Sequence, residues 1–447
     1  MGAYSRSLWH EIEGKPQQEV QALQANLLRE QMEYMVARSP LFRQKLATSG
    51  VAPEDIRSLD DIVRIPFSEK DDLRVSLESG GLGRHQAASS EDIVQIQASS
   101  GTTGRPSYVG LTRNDLAAWC EMQARCFYAA GLVPEDTILH SLSMSRGFTG
   151  GLPMLQAAQY MGMCVMPIGA ESGVERLLQV ANDQRPSAIM GTPNFILYLG
   201  KQSERVLGKP AADLGIRTVF SGGEPGASIP AIRAQIEKTW AARCMEMCGG
   251  TDGGLGYWAE CHRQDGMHFT AHEFLIPEII DPDTGESLKP EVGVTGELVY
   301  TTIQREASPV LRFRSRDRCE VVGTECTCGR TSYKIRIRGR TDDMLIVRGF
   351  NVFPAAIKDV VTSMAPLTTG ELRIIADFEG SATNDPLMVL VERGFDRRPE
   401  DDSEVSDKIT EALKKRLSAA FAVKVVPPDS FEKPGAKKVD LVVRGHQ

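Results

Sequence analysis

The sequence has no long apolar run and no excess of positive charge. No apolar stretch approaches the roughly 20 residues that a membrane helix needs, and residues 1–11 have no secretory hydrophobic region. We therefore expect a protein that neither spans a membrane nor is exported. The 51 Lys and Arg residues against 59 Asp and Glu residues give a net charge of −8. This acidic balance argues against nucleic acid or an anionic membrane surface as the main partner.

Cysteine and aromatic residues are also scarce. Nine cysteines in 447 residues are too few, and odd in number, for a disulfide framework, which predicts a reducing, cytoplasmic location. Apolar residues make up 41% of the chain, charged residues 25% and aromatic residues 6%, as in a globular protein that can bury a large core. The length allows two to four domains.

The apolar pattern changes along the chain. Helical spacing is found over residues 17–50, and between about 90 and 225 short apolar runs alternate with helical stretches. The runs at 93–96, 163–166, 188–190 and 218–220 predict α/β layers with parallel strands. Helical stretches vanish from about 266 to 340, which predicts a β subdomain. Beyond 341 we predict a small α+β unit with a helix after Pro354, strands at 372–375 and 387–391, and a charged helix near 403–420. The fold class is therefore a multidomain α/β protein, with a large N-terminal domain and a small C-terminal one.

The strongest motif is a run of Ser, Thr and Gly over residues 98–107, directly after a strand-like segment. Its glycines let backbone N–H groups turn toward one point, its hydroxyls add donors, and Arg105 adds positive charge. The run lacks the Gly-Lys-Ser/Thr ending of a Walker A loop. We predict a phosphate-binding loop, with a flexible Ser/Gly loop as the alternative. The candidate residues are Ser99, Ser100, Gly101, Thr102, Thr103 and Gly104.

This Ser-Ser-Gly-Thr-Thr-Gly-x-Pro stretch resembles the phosphate loop of the adenylate-forming superfamily, which includes acyl-CoA synthetases, luciferases and peptide-synthetase adenylation domains. Further segments narrow the resemblance to the phenylacetate–CoA ligase branch: 65–74, 107–112, 277–282, 312–317 and 339–349. The resemblance covers residues 35–361 and is weaker beyond them. It implies that a carboxylate attacks the α-phosphate of MgATP, giving an acyl-adenylate and pyrophosphate. A thiol, normally that of CoA, then displaces AMP.

The resemblance also implies most of the nucleotide site. Asp252 falls where the family has a glutamate that engages Mg²⁺ with ATP, and Cys248 where it usually has an aromatic residue against adenine. Asp317 matches the acidic residue that accepts hydrogen bonds from the ribose hydroxyls, and Arg340 is expected to meet the nucleotide from the domain boundary. The remaining implied nucleotide-binding residues are Gly222, Gly223, Glu224, Gly249, Gly250 and Thr251.

The family's adenylating lysine lies near the C-terminus, in a Gly-Lys pair before a valine. Alignment from Val439 places Gly435 at the position of that lysine, and a slip of the alignment places Lys437 there. We predict Lys437, whose ammonium would orient the carboxylate and offset charge at the α-phosphate. Lys433, or no lysine at all, remains the alternative.

By the same resemblance, Asp342 is the hinge between a large domain, residues 1–341, and a small mobile domain, residues 342–447. The acyl pocket is expected near residues 143–151, with Phe148, Gly150 and Ser221 as its candidate residues. Phe148 would stack on an aromatic ring, although a core phenylalanine beside a glycine turn is an equal alternative. An aryl or arylacetic acid is the expected substrate.

A second site is predicted from cysteine and histidine spacing. Cys261 and His268 form a Cys-x6-His pair, and Cys326 and Cys328 form a Cys-x-Cys-Gly motif. Three thiolates and one imidazole complete a tetrahedral zinc set with no open position, which indicates a structural zinc in a β subdomain over about 260–340. His262 is a competing ligand, and three ordinary cysteines with a surface histidine are the alternative.

The sequence thus predicts an AMP-forming aryl-CoA ligase that uses ATP, Mg²⁺ and CoA and carries a structural Zn²⁺. The resemblance also suggests a homodimer. Three alternatives stay open: acyl transfer to a carrier-protein phosphopantetheine or an amine, a degenerate homologue that binds nucleotide without catalysis, and a nucleic-acid-binding zinc module. The acidic composition counts against the last of these.

Overall fold

The N-terminal part of the chain is helical. The structure is a computed structural model that describes residues 8–99, 107–145, 147–341, 343–433, 435 and 440–444. Its first helices are α1 (Gln17–Arg38), α2 (Pro40–Ser49) and α3 (Lys70–Leu77). The helical prediction for residues 17–50 is confirmed, with a break at Ser39 because Pro40 opens a new helix. Apolar residues of α1 and α2 pack against Ile276 and Ile303 of the later β region.

Strands and helices alternate in the next stretch. Its elements are β1 (Gln95–Ala98), β2 (Tyr108–Leu111), α4 (Arg113–Ala129), β3 (Thr137–His140), α5 (Leu152–Met161), β4 (Cys164–Pro167), α6 (Gly173–Gln184), β5 (Ala188–Gly191), α7 (Pro193–Lys201), α8 (Ser203–Leu207), β6 (Thr218–Ser221), α9 (Pro230–Trp240) and β7 (Arg243–Gly250). Strands β3 to β7 are parallel, in the order β4-β3-β5-β6-β7. The prediction of parallel strands is confirmed for these runs.

The same prediction is wrong for the run at residues 93–96. Strand β1 pairs antiparallel with β2 in a separate two-stranded sheet. The connection between the two strands is shorter than the dozen or more residues that a parallel crossover needs. The phosphate loop predicted at residues 98–107 therefore connects the two strands of a hairpin.

Antiparallel strands follow and extend the same sheet. They are β8 (Gly254–Glu260), β9 (Met267–Phe269), β10 (Leu275–Ile280), β11 (Ser287–Leu288), β12 (Thr295–Thr302), β13 (Phe313–Gly323) and β14 (Lys334–Arg340). Strand β7 is parallel to β6 and antiparallel to β8, so it joins both parts into one twelve-stranded sheet. The β character predicted for residues 266–340 is confirmed.

The C-terminal unit has its own sheets and its own core. Its elements are β15 (Leu345–Val347), β16 (Phe350–Val352), α10 (Pro354–Ser363), β17 (Thr368–Ile375), β18 (Ala382–Thr383), β19 (Leu387–Arg393), α11 (Asp402–Leu417), β20 (Phe421–Val426) and β21 (Val442–Val443). Both predicted helices and both predicted strands are present. Its core is a separate cluster that includes Leu372, Val389 and Ile409.

The parallel part of the large sheet is covered on both faces. Ile138, Met190 and Phe220 belong to a core with α4 and α5, whereas Leu139, Ile189 and Val219 belong to a core with α6, α7 and α9. Neighbouring residues of a strand point to opposite faces, which accounts for this division. The carboxyl ends of the strands lie along one edge, where ligands of open α/β sheets bind.

Helix α9 contacts the C-terminal unit. The backbone N–H of Ala231 donates to Asp359 Oδ1 at 3.4 Å, and Gln235 Nε2 donates to the carbonyl of Thr362 at 3.1 Å. Helices α9 and α10 therefore meet through polar contacts, whereas the ring of Phe353, just before α10, packs on Gly339 of β14, where a methyl group would lie 2.7 Å from Phe353 Cδ1. No helix in the described part of the chain combines the length and apolar character that a membrane span requires.

Candidate active site

Glycines allow close backbone approach at the carboxyl ends of β6 and β7. A methyl group on Gly222 would lie 2.6 Å from the carbonyl oxygen of Met247, and one on Gly249 would lie 1.6 Å from that of Leu255. Any larger residue at Gly249 would push the two strands apart. Two of the predicted nucleotide segments, 222–224 and 249–251, thus lie against β7 and at its end, and Asp252 follows directly.

Asp252 lies among positive charges. Its carboxylate is half-buried, and its Oδ1 atom is buried with no hydrogen-bond partner among the described residues. Burial raises the pKa of Asp252, while the charges of Lys70, Arg305 and Arg340 act in the opposite direction. An orphaned carboxylate oxygen in cationic surroundings is suited to a divalent cation that also binds phosphate.

Lys70 is brought to the site by backbone pairing. It is the first residue of α3, and the preceding Ser68 donates its N–H to the carbonyl of Arg312 at 3.0 Å and accepts from the N–H of Arg314 at 2.9 Å. Glu69 is bound by Arg316 at 2.7 Å. Sequence reasoning used this segment only as a sign of family and missed that the charge of Lys70 acts on Asp252. Its place in the 65–74 motif was the available signal.

Arg305 was missed altogether, and no local motif marks it. Its guanidinium is buried, stacks over the ring of Trp119 at 4.8 Å and lies 3.7 Å from the carboxylate of Asp115. Its Nε and Nη2 atoms have no hydrogen-bond partner among the described residues. Burial lowers the pKa of Arg305, and the charges of Asp115 and Asp252 oppose this. The Arg305 side chain is therefore a fixed positive charge close to Asp252.

Asp317 and Arg340, both predicted to contact the nucleotide, lie side by side. They are partners in the register of β13 and β14, and Arg340 Nη1 lies 3.4 Å from Asp317 Oδ1. The same nitrogen donates to the carbonyl of Ser315 at 3.2 Å, and the Ser315 hydroxyl accepts from the N–H of Asp317 at 3.0 Å. The carboxylate and the guanidinium therefore hold each other in place.

The neck of the predicted phosphate loop is closed by Ser99. Its N–H donates to the carbonyl of Ser107 at 2.9 Å, and its Oγ accepts from the N–H of Ser107 at 3.0 Å. These two bonds bring the ends of the loop together. The other candidates of the loop, Ser100 to Gly104, lie outside the described residues.

The four predicted zinc ligands converge. Their ligand atoms all lie within 4.8 Å of one another. Cys261 Sγ lies 3.7 Å from Cys326 Sγ, and Cys328 Sγ lies 3.5 Å from His268 Nε2. Tetrahedral zinc with Zn–S bonds of about 2.3 Å and Zn–N bonds of about 2.0 Å separates two sulfurs by about 3.8 Å, and a sulfur from a nitrogen by about 3.5 Å. The competing His262 is exposed and lies outside the group.

The surroundings of the cluster also suit a metal. His268 Nδ1 lies 3.2 Å from the carbonyl of Ser332, which can only accept, so Nδ1 carries the proton and Nε2 is free to bind. The N–H of Arg263 donates to Cys261 Sγ at 3.5 Å. The hydrogen bond between Cys261 and Cys328 lowers the pKa of the Cys328 thiol and raises that of the Cys261 thiol, so it favours a thiolate at Cys328 alone.

Comparison with known proteins agrees with this architecture. Residues 13–304 match the family model described as AMP-binding enzyme, and residues 349–443 match the model of the AMP-binding enzyme C-terminal domain. The chain belongs to the AMP-binding enzyme family. It is 37% identical to the phenylacetate–coenzyme A ligase of Thermus thermophilus over 97% of this chain and 98% of that protein. This relative places it in the phenylacetate–CoA ligase branch, as the sequence motifs predicted.

Two solved structures of 2-hydroxyisobutyryl-CoA ligase are similar to this AMP-binding enzyme. One, in the postadenylation state with 2-HIB-AMP, has a TM-score of 0.91 and 25% identity, and covers 100% of this chain and 94% of that one. The other, with 2-HIB-AMP and CoA in the thioesterification state, has a TM-score of 0.73 and 26% identity, and covers 99% and 94%. The predicted fold class is confirmed.

The side chains of two predicted site residues form hydrogen bonds with the backbone of neighbouring elements. Glu224 Oε1 accepts from the N–H of Asn194 at 3.1 Å, in the first turn of α7. The Ser221 hydroxyl donates to the carbonyl of Gly191 at 3.0 Å. Gly223 between them has φ +84°, a conformation that favours glycine. Both side chains therefore fix the loop after β6 to β5 and α7.

The predicted acyl-pocket segment folds against the core of α4 and α5. A methyl group on Gly150 would lie 2.4 Å from Phe148 Cε1, so the absence of a side chain lets the ring lie on the backbone. Phe148 itself is half-buried against that core. Cys248, at the predicted adenine position, is half-buried, and burial raises the pKa of its thiol, which keeps it neutral.

The C-terminal lysines are separated by the structure. Lys433 Nζ lies 2.7 Å from Asp429 Oδ1 and 3.7 Å from Glu392 Oε1, both within the C-terminal unit, so it is already paired. A methyl group on Gly435 would have nothing within 4 Å. Lys437 and the predicted hinge Asp342 lie outside the described residues, as does Arg146 of the acyl segment.

Proposed function

We propose that this AMP-binding enzyme activates an aryl or arylacetic acid with ATP and transfers the acyl group to CoA. Acid–CoA ligation through an acyl-adenylate is the reaction of the family to which it belongs. The observation that carries the proposal is the Asp252 carboxylate, which lies among cations at the end of β7 beside the Asp317–Arg340 pair. Identity to a phenylacetate–CoA ligase supports the aromatic substrate.

In the first step a carboxylate oxygen of the acid attacks the α-phosphorus, and the bond to pyrophosphate breaks. Charge grows on the phosphate oxygens, so fixed positive groups lower the barrier. Lys70 and Arg305 supply such charges near Asp252. In the second step the CoA sulfur attacks the acyl carbon and AMP leaves. Asp317 would hold the ribose throughout, because it is fixed by Arg340.

Mg²⁺ fits the site at Asp252. The carboxylate has a buried oxygen with no hydrogen-bond partner among the described residues, and oxygen ligands are those that Mg²⁺ prefers. Asp252 would hold the ion together with phosphate oxygens, and the ion would neutralise phosphate charge. The charges of Lys70, Arg305 and Arg340 would favour the ionised carboxylate against burial, which raises its pKa.

Zn²⁺ fits the group of Cys261, His268, Cys326 and Cys328. Its distances are those of a closed tetrahedral site, and no position is left for substrate. The ion would be structural. It would hold the segment after β8 against the loop before β14, and so stabilise the antiparallel part of the sheet that carries Asp317.

The small C-terminal domain, residues 342–447, is proposed to move about Asp342 and to bring Lys437 to the α-phosphate during adenylation. Support comes from the higher TM-score to the postadenylation structure, 0.91, than to the thioesterification structure, 0.73. The polar contacts between α9 and α10 suit a domain that must detach. A carrier-protein acceptor and a homodimer find no support in these comparisons.

The test is pyrophosphate release with MgATP over a panel of benzoic and phenylacetic acids, each with and without CoA. Acid-dependent release followed by thioester formation is the expected result, with Asp252→Asn as the inactive control. Pyrophosphate release without thioester formation would indicate that the acyl acceptor is a carrier protein or an amine instead of CoA. No release with any acid would favour the non-catalytic homologue.

A further inference from the structure

Residues 8–17, which we call the N-terminal strap, pack against the loop that carries Cys326 and Cys328. Glu13 of the strap is 0% exposed, and its Oε2 accepts from Arg330 Nε at 2.7 Å. Arg330 is 4% exposed and follows Cys328 by two positions in the chain. The two side chains therefore form a buried salt bridge, and removal of either partner would leave a charge unpaired inside the protein.

Backbone contacts fix the strap to the same loop. The N–H of Thr331 donates to the carbonyl of Glu13 at 3.0 Å, and the Thr331 hydroxyl donates to the carbonyl of Lys15 at 2.6 Å. A methyl group on Gly14 would lie 3.3 Å from the carbonyl oxygen of Gly329, the residue after the second cysteine of the loop. The strap thus lies directly on the turn that would hold the metal.

The other end of the strap is bound to helix α4. Trp9 Nε1 donates to Glu121 Oε2 at 3.1 Å, and the ring of Trp9 lies 5.7 Å from the ring of Tyr128. Glu121 also accepts from Nε of Arg125, on the same helix, at 2.9 Å. The strap therefore connects α4, which covers the parallel part of the sheet, with the loop between β13 and β14 in the antiparallel part.

Arg330 places a positive charge beside Cys328, one of the predicted zinc ligands. Burial lowers the pKa of Arg330, but the charges of Glu13 and Cys328 more than offset this and raise it, so the guanidinium stays protonated. Three thiolates and a neutral imidazole around Zn²⁺ leave the site with a net negative charge. A guanidinium held next to the site offsets that charge, and Glu13 is the side chain that holds the guanidinium.

We propose that Glu13 is a positioning residue for the metal site, which holds Arg330 beside the Cys328 thiolate, and that metal binding and docking of the N-terminal strap stabilise each other. The inference rests on the zinc site proposed above. The ion would fix the loop on which the strap lies, and the docked strap fixes the guanidinium. Such coupling is reciprocal, so a change that loosens the strap must also weaken metal binding.

The experiment measures zinc affinity of the full-length chain by competition with a chromogenic chelator, so its result does not depend on ligase activity. Glu13→Gln keeps the shape of the side chain and removes the charge that holds Arg330. Trp9→Phe loosens the strap at a contact that includes no metal ligand, and it also serves should Glu13→Gln not fold. Glu297→Gln is the matched control, because Glu297 is also 0% exposed and is bound by an arginine at 2.7 Å.

Glu13→Gln should bind zinc about tenfold to a hundredfold more weakly than the wild type. Trp9→Phe should also bind zinc more weakly, whereas Glu297→Gln should match the wild type. Removal of zinc from the wild type should speed amide hydrogen exchange in residues 8–17 and leave it unchanged in the C-terminal unit. Equal zinc affinity in the wild type, Glu13→Gln and Trp9→Phe overturns the inference, and the metal proposal then stands. A wild type that binds no zinc overturns the metal proposal itself, and the inference with it.

Discussion

Two buried carboxylates lie near the guanidinium of Arg233, and one of them is paired with it. Glu246 of β7 and Glu260 of β8 are 7% and 1% exposed. Glu260 Oε2 lies 2.6 Å from Arg233 Nη2 and accepts from the N–H of Glu246 at 2.9 Å. Glu246 Oε1 accepts from the N–H of Ser228 at 3.1 Å, and its Oε2 has no hydrogen-bond partner in the described part of the chain. Burial, with the charge of Glu260, raises the pKa of Glu246 to about 7.

The raised pKa of Glu246 predicts how the free energy of unfolding depends on pH. A rise in pKa from 4.5 to about 7 corresponds to about 3 kcal/mol of free energy of unfolding. Because the folded chain holds the proton more tightly, this contribution is present in full below pH 4.5 and is lost as pH rises through 7. Glu246→Gln removes the titration and keeps the shape. Relative to the wild type, the variant should gain up to about 3 kcal/mol between pH 4.5 and pH 8.5.

The assay is urea unfolding at several pH values between 5 and 8.5, followed by tryptophan fluorescence. All four tryptophans, at positions 9, 119, 240 and 258, precede the C-terminal unit, so the signal reports the large domain. Glu260→Gln is the contrasting variant. It breaks the ion pair with Arg233 and should lower stability at every pH. Parallel pH profiles for Glu246→Gln and the wild type would refute the reasoning, because they would show that Glu246 titrates normally.

Asp252→Asn should reduce acid-dependent pyrophosphate release by about a hundredfold or more without loss of folding, as measured by release kinetics and circular dichroism, because it removes the charge that would bind the metal. Lys70→Met should reduce the same rate by about tenfold to a hundredfold, and an unchanged rate would exclude Lys70 from the phosphates. Cys328→Ser should lose one equivalent of zinc by atomic emission and lower the melting temperature, whereas zinc-free wild type would contradict the metal proposal. Lys437→Met should slow adenylation far more than Lys433→Met, since Lys433 is paired with Asp429.

Much of the fold could be predicted because its signals are local. Parallel strands, the β region and the C-terminal helices each have an apolar period that a short window contains. The run at 93–96 has the same apolar character as the other predicted strands, and it differs from them only in the strand with which it pairs. That partner, β2, belongs to a hairpin whose short connection decides the direction of pairing. The prediction of a parallel strand was therefore wrong because apolar periodicity does not indicate which strands pair.

The residues of the candidate site also fall into two groups, those that a sequence motif marks and those that it does not. Asp317, Arg340 and Asp252 could be named because each lies in a motif that the family shares. The pairing of Asp317 with Arg340 could not, because it depends on the register of two strands. Arg305 carries no motif, and at sequence level it is an ordinary basic residue. Its role becomes visible only when its burial and the nearby charge of Asp252 are known.

One strand, β7, brings these separate features together. Its residues alternate between the faces of the sheet, so Glu246 points to α9 with Ser228, whereas Met247 points to the core with α4. The pH-dependent stability therefore depends on one face of β7, and the proposed metal ligand Asp252 follows the end of the same strand. Effects on sites without shared contacts add within about 0.5 kcal/mol. The double variant Glu246→Gln, Asp252→Asn should accordingly show the stability profile of the first change and the loss of pyrophosphate release of the second, and any strong coupling would mean that β7 shifts as a whole.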